Sequence, residues 1–383
     1  MRLKEQEYTG FEAGPIRPPS ESGSLMLRVT RNCPWNKCRF CMLYKGEKFS
    51  IRPVSHIKED IDRVAYFAEL LADNMVETGS LLSALRFLDA DLGKNDRMAL
   101  FMAQNWISGG GESAFLQDAN TLLMKTDELC EVIEYLRSKF PQIKRITSYG
   151  RSHTLAAMDG SKLKMLKNAG LDRIHIGVES GSDAVLEMVK KGVDKQGHIN
   201  AGKKVKDAGI ELSVYYMPGL GGVKYLRENA VETAEVFNAV NPDFIRIRTL
   251  AVLEDSEMDE LSKAGEFTRA TDVQTAEELK IFIESLNCSS RIKSDHILNL
   301  FEEIDGNLPE KKDDMLGVLN RFMSMTDEEQ LIYIVGRRAL VLRSLSDMDQ
   351  PQSRLEAEKL VKSHGVTQEN LNSFVNSMLS RFI

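Results

Sequence analysis

Residues 173–179 read RIHIGVE, and the alternation within that run sets the architecture. Ile174, Ile176 and Val178 form one apolar face, which leaves His175, Gly177 and Glu179 on the other. A period of two is the signature of a β-strand. Comparable runs occur at Leu25–Thr30, Ala114–Asp118, Arg145–Tyr149, Ile210–Met217 and Phe244–Thr249. Helical patterns fill the intervals. In one of them Leu129, Val132, Ile133 and Leu136 recur at helical spacing behind an expected N-cap at Thr126. Strands separated by helices build parallel sheets from βαβ units. The expected fold is therefore α/β, a partial (βα)6 TIM-like barrel followed by a helical C-terminal region.

Outward from that run, residues 1–23 are rich in Gly, Pro, Ser and Glu and read as an irregular N-terminal lead-in. The barrel is expected over 24–255, with a helical insertion at about 55–108. From 256 to 383 the region is mainly helical. Its helices are expected at Ala276–Leu286, Met315–Met323, after a capping box at Thr326 and Glu329, at Arg354–Ser363 and at Asn370–Phe382.

In a barrel, one face of each strand meets the outer helices and the other lines the lumen. The inward set is Arg28 and Thr30; Thr147, Tyr149 and Arg151; His175, Gly177 and Glu179; Ser213, Tyr215 and Met217; and Arg246 and Arg248. A purely structural barrel fills this space with Val, Ile and Leu. A lumen of Arg, Glu, His and Tyr reads as a ligand cavity, the alternative being an open sheet with one wet face.

Composition narrows the class. The 383 residues carry 50 basic and 57 acidic side chains, a net charge of −7, which argues against a nucleic-acid substrate. No apolar run reaches the length of a membrane span, and the start, MRLKEQEYTGFEAGP, lacks the apolar core of a secretory signal. A cytoplasmic protein with no membrane span is expected.

The five cysteines are unevenly placed: Cys33, Cys38 and Cys41 lie together in RNCPWNKCRFC, while Cys130 and Cys288 are isolated. Zinc would normally take a fourth nearby Cys or His, and the nearest downstream histidine is His56. A [4Fe–4S] cluster held by three thiolates instead leaves one iron open to a substrate or cofactor.

With this motif the sequence resembles the radical S-adenosylmethionine (SAM) superfamily, over roughly Ser24 to Val252. It is most similar to the branch containing methylthiotransferases and coproporphyrinogen-type enzymes. Cys33, Cys38 and Cys41 match the family's cluster ligands, although C-x4-C-x2-C is one residue longer than the family's usual first spacing. Phe40 takes the aromatic position that approaches the SAM adenine in the family. The resemblance also implies SAM contacts from Asp118 and Asn120 at the end of the second main strand, and from Glu179 and Ser180 in GVESGSDAVLEMVKKG. It places Lys191 at the SAM carboxylate, Met217 of MPGLGG beside the adenine, and Leu250 as a last adenine contact. The run Gly109-Gly110-Gly111-Glu112 precedes its strand instead of following it and reads as a turn.

The implied activity is reductive cleavage of SAM to a 5′-deoxyadenosyl radical. The expected acceptor is a small anionic molecule, since Arg151, Arg246 and Arg248 point into the lumen. A reductant protein such as flavodoxin or ferredoxin would supply the electron, and the cluster would be oxygen-sensitive. The reaction subclass (oxidoreductase, isomerase or lyase, or a methyl, methylthio or other group transferase) stays open. A non-enzymatic iron–sulfur or zinc protein for electron transfer or scaffolding is the alternative from another class. Further catalytic candidates are Tyr215, Cys288 and the polar segment Ser294, Asp295, His296 and Asn299, read as a helix start. Cys130, beside an apolar helical stripe, reads as core.

Overall fold

Residues 7–89 and 92–379 are described by the computed structural model. The chain opens with a 3-10 turn at Pro19–Glu21, then strands β1 (Leu25–Arg28), β2 (Thr30–Arg31) and β3 (Ser50–Ile51). Helices α1 (Val54–Thr78), α2 (Leu81–Asp89) and α3 (Lys94–Ser108) occupy the long first crossover. There follow β4 (Ser113–Gln117), α4 (Thr126–Lys139), β5 (Arg145–Tyr149), α5 (Ser152–Ala157), α6 (Gly160–Ala169) and β6 (Arg173–Glu179). After them come α7 (Asp183–Met188), α8 (Lys195–Asp207), β7 (Glu211–Tyr216), α9 (Leu226–Val240) and β8 (Phe244–Ile247). The remainder is α10 (Glu257–Lys263), α11 (Asp272–Ser285), β9 (Arg291–Lys293), β10 (Gly306–Asn307), α12 (Lys312–Met323), α13 (Asp327–Arg338), α14 (Pro351–Ser363) and α15 (Leu371–Leu379). Of the helix expected over Asn370–Phe382, the last expected residues lie outside the described ones. No helix among the described residues is long and apolar enough to cross a membrane.

The chain divides into two compact units. The first holds the chain up to Asn36, Leu43–Ile176 and Lys204–Glu211; the second holds Lys37–Met42, Gly177–Lys203 and the chain from Leu212 onward. The division thus falls inside β6, inside α8 and after the first residue of β7.

In the first unit β1, β4, β5 and the start of β6 are parallel neighbours in that order. The expected outward residues Ile146 and Ile174 are fully buried, as are Leu129, Val132, Ile133 and, on α6, Leu163. The α4 stripe is as read, but the helix begins one residue earlier than a cap at Thr126 implies: Lys125 is the N-cap and makes no side-chain capping bond. The glycine run is a turn. Gly109 ends α3, Gly110 and Gly111 take φ of +95° and +70°, and Gly109 packs so closely on Gly23 that a Cβ would sit 2.2 Å from its carbonyl oxygen.

Part of the inward polar set in this unit is filled by protein. His175 is fully buried against Tyr149, with Phe115 packing edge-on to Tyr149. Its Nε2 lies 3.6 Å from Oε1 of the equally buried Glu21. The lead-in therefore contributes a carboxylate to the interior. Burial works to raise the Glu21 pKa, but His175, Arg145 and the Ser24 hydroxyl outweigh it and bring it to about 2.

In the second unit β7, β8 and β9 are parallel neighbours, and β10 pairs antiparallel with β9. Helices α9 and α11 pack together, and α12 packs on α11. The capping box at Thr326 and Glu329 is present. Strand β9 corrects the sequence reading: Ser294 to Asn299 do not open a helix but follow the end of a parallel strand beside β8. A three-residue strand gives no periodicity to read.

Replacing Glu21 by Gln removes a charge that His175 and Arg145 meet in the interior, at an expected cost of about 1–3 kcal/mol near neutral pH. A carboxylate with a depressed pKa stabilises above its ordinary value of 4.5, and the benefit fades as pH falls through about 2. The gap in thermal midpoint between wild type and Glu21→Gln should accordingly narrow from pH 5 downward.

Candidate cofactor and substrate site

None of the three clustered cysteines is in a disulfide, and each is half-buried. Asn32, just before Cys33, and Asn36 take left-handed conformations at φ +67° and +49°. That tight path lets the Asn36 N–H donate to Cys33 Sγ at 3.5 Å. In the second unit Cys41 N–H donates to the Cys38 carbonyl at 3.3 Å, closing a turn. Arg39, between them, ties this segment to the end of α7: its N–H donates to the Val189 carbonyl and its Nη1 to the Met188 carbonyl at 2.9 Å. A cation at helix-terminal carbonyls is favourable. Among the described residues no three His, Cys, Asp or Glu side chains are gathered into a ready metal group. Three thiols on one short loop are nevertheless the soft donor set an iron–sulfur cluster takes.

The second unit brings five of the expected SAM-contact residues into one neighbourhood. Lys191 Nζ lies 3.4 Å from Glu179 Oε1 and 5.5 Å from the centre of the Phe40 ring. Glu179 takes φ +68°, and its N-terminal neighbour but one is Gly177, where a Cβ would fall 2.3 Å from Glu179 Oε1. Only glycine leaves the carboxylate that space. Met217 and Leu250 belong to an apolar cluster with Val185, Val189 and Leu220, and Phe40 packs against it. An ammonium, a carboxylate and an aromatic ring beside an apolar shelf suit a zwitterion carrying a flat heterocycle. Ser180 is fully buried, and its Oγ accepts the Ser182 N–H at 3.0 Å.

The shelf rests on a residue the sequence reading missed. Glu278, inside α11, is fully buried and accepts from Tyr216 Oη at 2.6 Å, from Asn229 Nδ2 at 2.6 Å and from Gly219 N at 2.9 Å. Asn229 Nδ2 also donates to the Met217 carbonyl at 3.2 Å. One carboxyl thereby pins both ends of the Met217–Gly219 turn. Burial pushes its pKa up to about 7, against the pull of the three donors.

Asp118 and Asn120 belong to the first unit and are fully buried. Asn120 is engaged at both ends of its amide, donating to Thr154 Oγ1 at 2.8 Å and accepting from Arg151 N at 3.2 Å. Arg151 lies over the Trp35 ring at 5.3 Å. Asp118 accepts from Arg28 and from the Asn32 N–H.

The remaining candidates lie in the second unit. Parallel register sets Tyr215 beside Arg246 and Arg246 beside Lys293. Buried Arg246 donates to Asp295 at 2.6 Å. Burial and the half-buried Arg248 beside it drive the His296 pKa down to about 4, against Asp295, so the ring is neutral at pH 7. Its Nδ1 accepts the Leu298 N–H at 3.2 Å, which puts the ring proton on Nε2. Asn299 accepts from Thr249 N at 3.0 Å and donates to the Ile247 carbonyl at 2.8 Å, holding this loop to the end of β8. Cys288 is buried, burial raises its thiol pKa, and Ser290 Oγ donates to it at 3.3 Å. Cys130, on α4, is half-buried.

Residues 96–234 match the model of the Radical SAM superfamily. The chain carries a radical SAM domain. Members of that superfamily use a [4Fe–4S] cluster and SAM. Over 108 residues it is 33% identical to the tRNA uridine(34) acetyltransferase of Methanocaldococcus infernus, covering 27% of this chain and 20% of that protein. The same enzyme of Methanocaldococcus jannaschii is 32% identical over 108 residues. This chain thus spans about a fifth of the length of the curated relatives it matches. Among solved structures it is similar to Methanocaldococcus infernus Elp3, at 18% identity, 48% of each chain and a TM-score of 0.39. The cobalamin-dependent SAM radical enzyme OxsB matches at 14% identity over 93% of this chain and 54% of that one, with a TM-score of 0.43.

Replacing Glu278 by Gln turns an amide NH2 toward an N–H donor, Asn229 Nδ2 or Gly219 N, whichever way the amide is set, and should cost about 1–3 kcal/mol. The wild-type carboxyl has its own pH signature. Its pKa is raised from 4.5 to about 7, so the folded state holds the extra proton and the benefit is lost as pH rises through about 7. Thermal midpoints should show the wild-type lead over Glu278→Gln shrinking between pH 5 and pH 8.

Proposed function

We propose that this chain cleaves SAM reductively and turns the resulting radical on a small anionic substrate, with Cys33, Cys38 and Cys41 as the cluster ligands. The observation that carries the reading is the second unit's grouping of Lys191, Glu179 and Phe40 beside the Met217–Leu250 shelf. When bound, the cluster and SAM supply the electron transfer and the 5′-deoxyadenosyl radical. The protein's own residues bind and orient. Lys191 meets the carboxylate of the methionine part, Glu179 its amine, and Phe40 with Leu250 sandwiches the base between apolar surfaces. Arg39 keeps Phe40 in place by its bonds to the end of α7.

Arg248 is the substrate anchor. Arg246 is neutralised by Asp295, whereas Arg248 has no carboxylate within ion-pair distance among the described residues and stands beside a neutral histidine. One uncompensated guanidinium and an Nε2–H donor suit a carboxylate or phosphate. The 108-residue likeness to tRNA-modifying enzymes favours a second reading, in which the group acted on is part of an RNA.

Replacement of Cys38 by Ala should abolish both cluster loading and 5′-deoxyadenosine formation in anaerobically reconstituted protein; a variant that still cleaves SAM overturns the ligand assignment. Release of 5′-deoxyadenosine measured against a panel of metabolites and against bulk tRNA separates the two substrate readings. For the substrate that stimulates release, Arg248→Ala should raise KM about tenfold or more, the loss of one charge-assisted contact, with SAM affinity unchanged.

A further inference from the structure

Asp118 was expected to touch SAM, yet its surroundings assign it elsewhere. Its side chain has no exposed surface. Oδ2 accepts three bonds: from Arg28 Nη2 at 2.7 Å, from Arg28 Nε at 2.9 Å and from the Asn32 backbone N–H at 2.9 Å. Arg28 Nη2 also donates to Asn32 Oδ1 at 3.2 Å, so the guanidinium and the carboxylate grip one residue from two sides. That residue has φ +67° and directly precedes Cys33. The Asp118 backbone is fixed too, its N–H donating to Thr30 O at 3.2 Å.

The other carboxylate oxygen is closed off. Oδ1 is buried without a hydrogen-bond partner, and a Cβ on Gly14 would come within 1.8 Å of it. Gly14 is itself held over the site by Gln117, which accepts the Gly14 N–H at 2.8 Å and donates to the Gly14 carbonyl at 3.1 Å and to the Ile16 carbonyl at 2.7 Å. The lead-in thus forms a backbone lid on Asp118, leaving no face for a cofactor.

We propose that Asp118 is a positioning residue for the cluster-bearing loop: through Arg28 and the Asn32 N–H it sets the left-handed step that aims Cys33, and it does not contact SAM. An N–H bond to a carboxylate is the charge-assisted kind that can hold such a conformation. This rests on the reading that Cys33 is a cluster ligand.

The test loads wild type, Asp118→Asn and Arg28→Gln with iron and sulfide anaerobically and without SAM. It records iron per chain, the rate at which a chelator strips it, and then SAM affinity by equilibrium dialysis, with thermal midpoints alongside. Asp118→Asn should lose iron about tenfold faster than wild type before any SAM is added, the size expected when a partner behind a metal ligand is removed. Arg28→Gln, which keeps the Asn32 bond to Asp118, should shift the same way but less. If Asp118→Asn holds iron as wild type does, with or without weakened SAM binding, the proposal is overturned. If it does not fold, Arg28→Gln decides: iron retention equal to wild type overturns the proposal. A wild type that loads no cluster overturns instead the ligand reading beneath it.

Discussion

Parallel backbone pairing is the constraint on which the second unit depends. Val214, Ile245 and Ile292 stand in one row across β7, β8 and β9, and Tyr215, Arg246 and Lys293 in the next. Side chains alternate across a sheet, so the first row must enter the core and the second must face the other way. A slip of one residue would turn Arg246 and Lys293 to the opposite face and take three aliphatics out of the core. Register therefore fixes the polar row before any polar contact forms. Only then can Arg246 find Asp295, and Asn299 lace the following loop to the ends of β8.

Buried carboxylates do related work in three places, each by a different balance. Glu21 answers His175 and Arg145, so charge wins and its pKa falls. Glu278 is met by neutral donors alone, so burial wins and its pKa rises. For Asp118 burial again prevails, against the Asn32 N–H and Arg28, and the pKa is raised. Two of the three accept a backbone N–H from a turn that follows a strand: Gly219 for Glu278, Asn32 for Asp118. A buried acceptor with nowhere else to turn is a stiff way to hold a loop, because breaking one bond leaves an unsatisfied group on both sides.

The main strands were legible because their alternation is dense: Ile174, Ile176 and Val178 need no outside information to define a face. The cluster motif was legible because three thiols in nine residues have few other uses. β9 was not, since Arg291–Lys293 is too short to show a period and is a strand only because β8 offers it an edge. That single omission turned Ser294 to Asn299 into an expected helix start. Arg39 and Glu278 were missed for a different reason. Their partners, Met188 and Gly219, are far off in sequence, and an Arg beside two cysteines or a Glu in a helix is unremarkable by composition.

The sequence by itself determined the α/β class, the run of parallel strands and the three candidate ligands, because local spacing and side-chain chemistry settle those. Tertiary structure decided which polar side chains have room for a ligand. His175 and Asp118 read as lumen or cofactor residues until the lead-in places Glu21 and Gly14 against them. Lys191, Glu179 and Phe40 lie together, and Gly177 has no side chain to displace the Glu179 carboxylate from beside Lys191. Burial is a property of everything that packs around a residue, and no stretch of sequence carries that information alone.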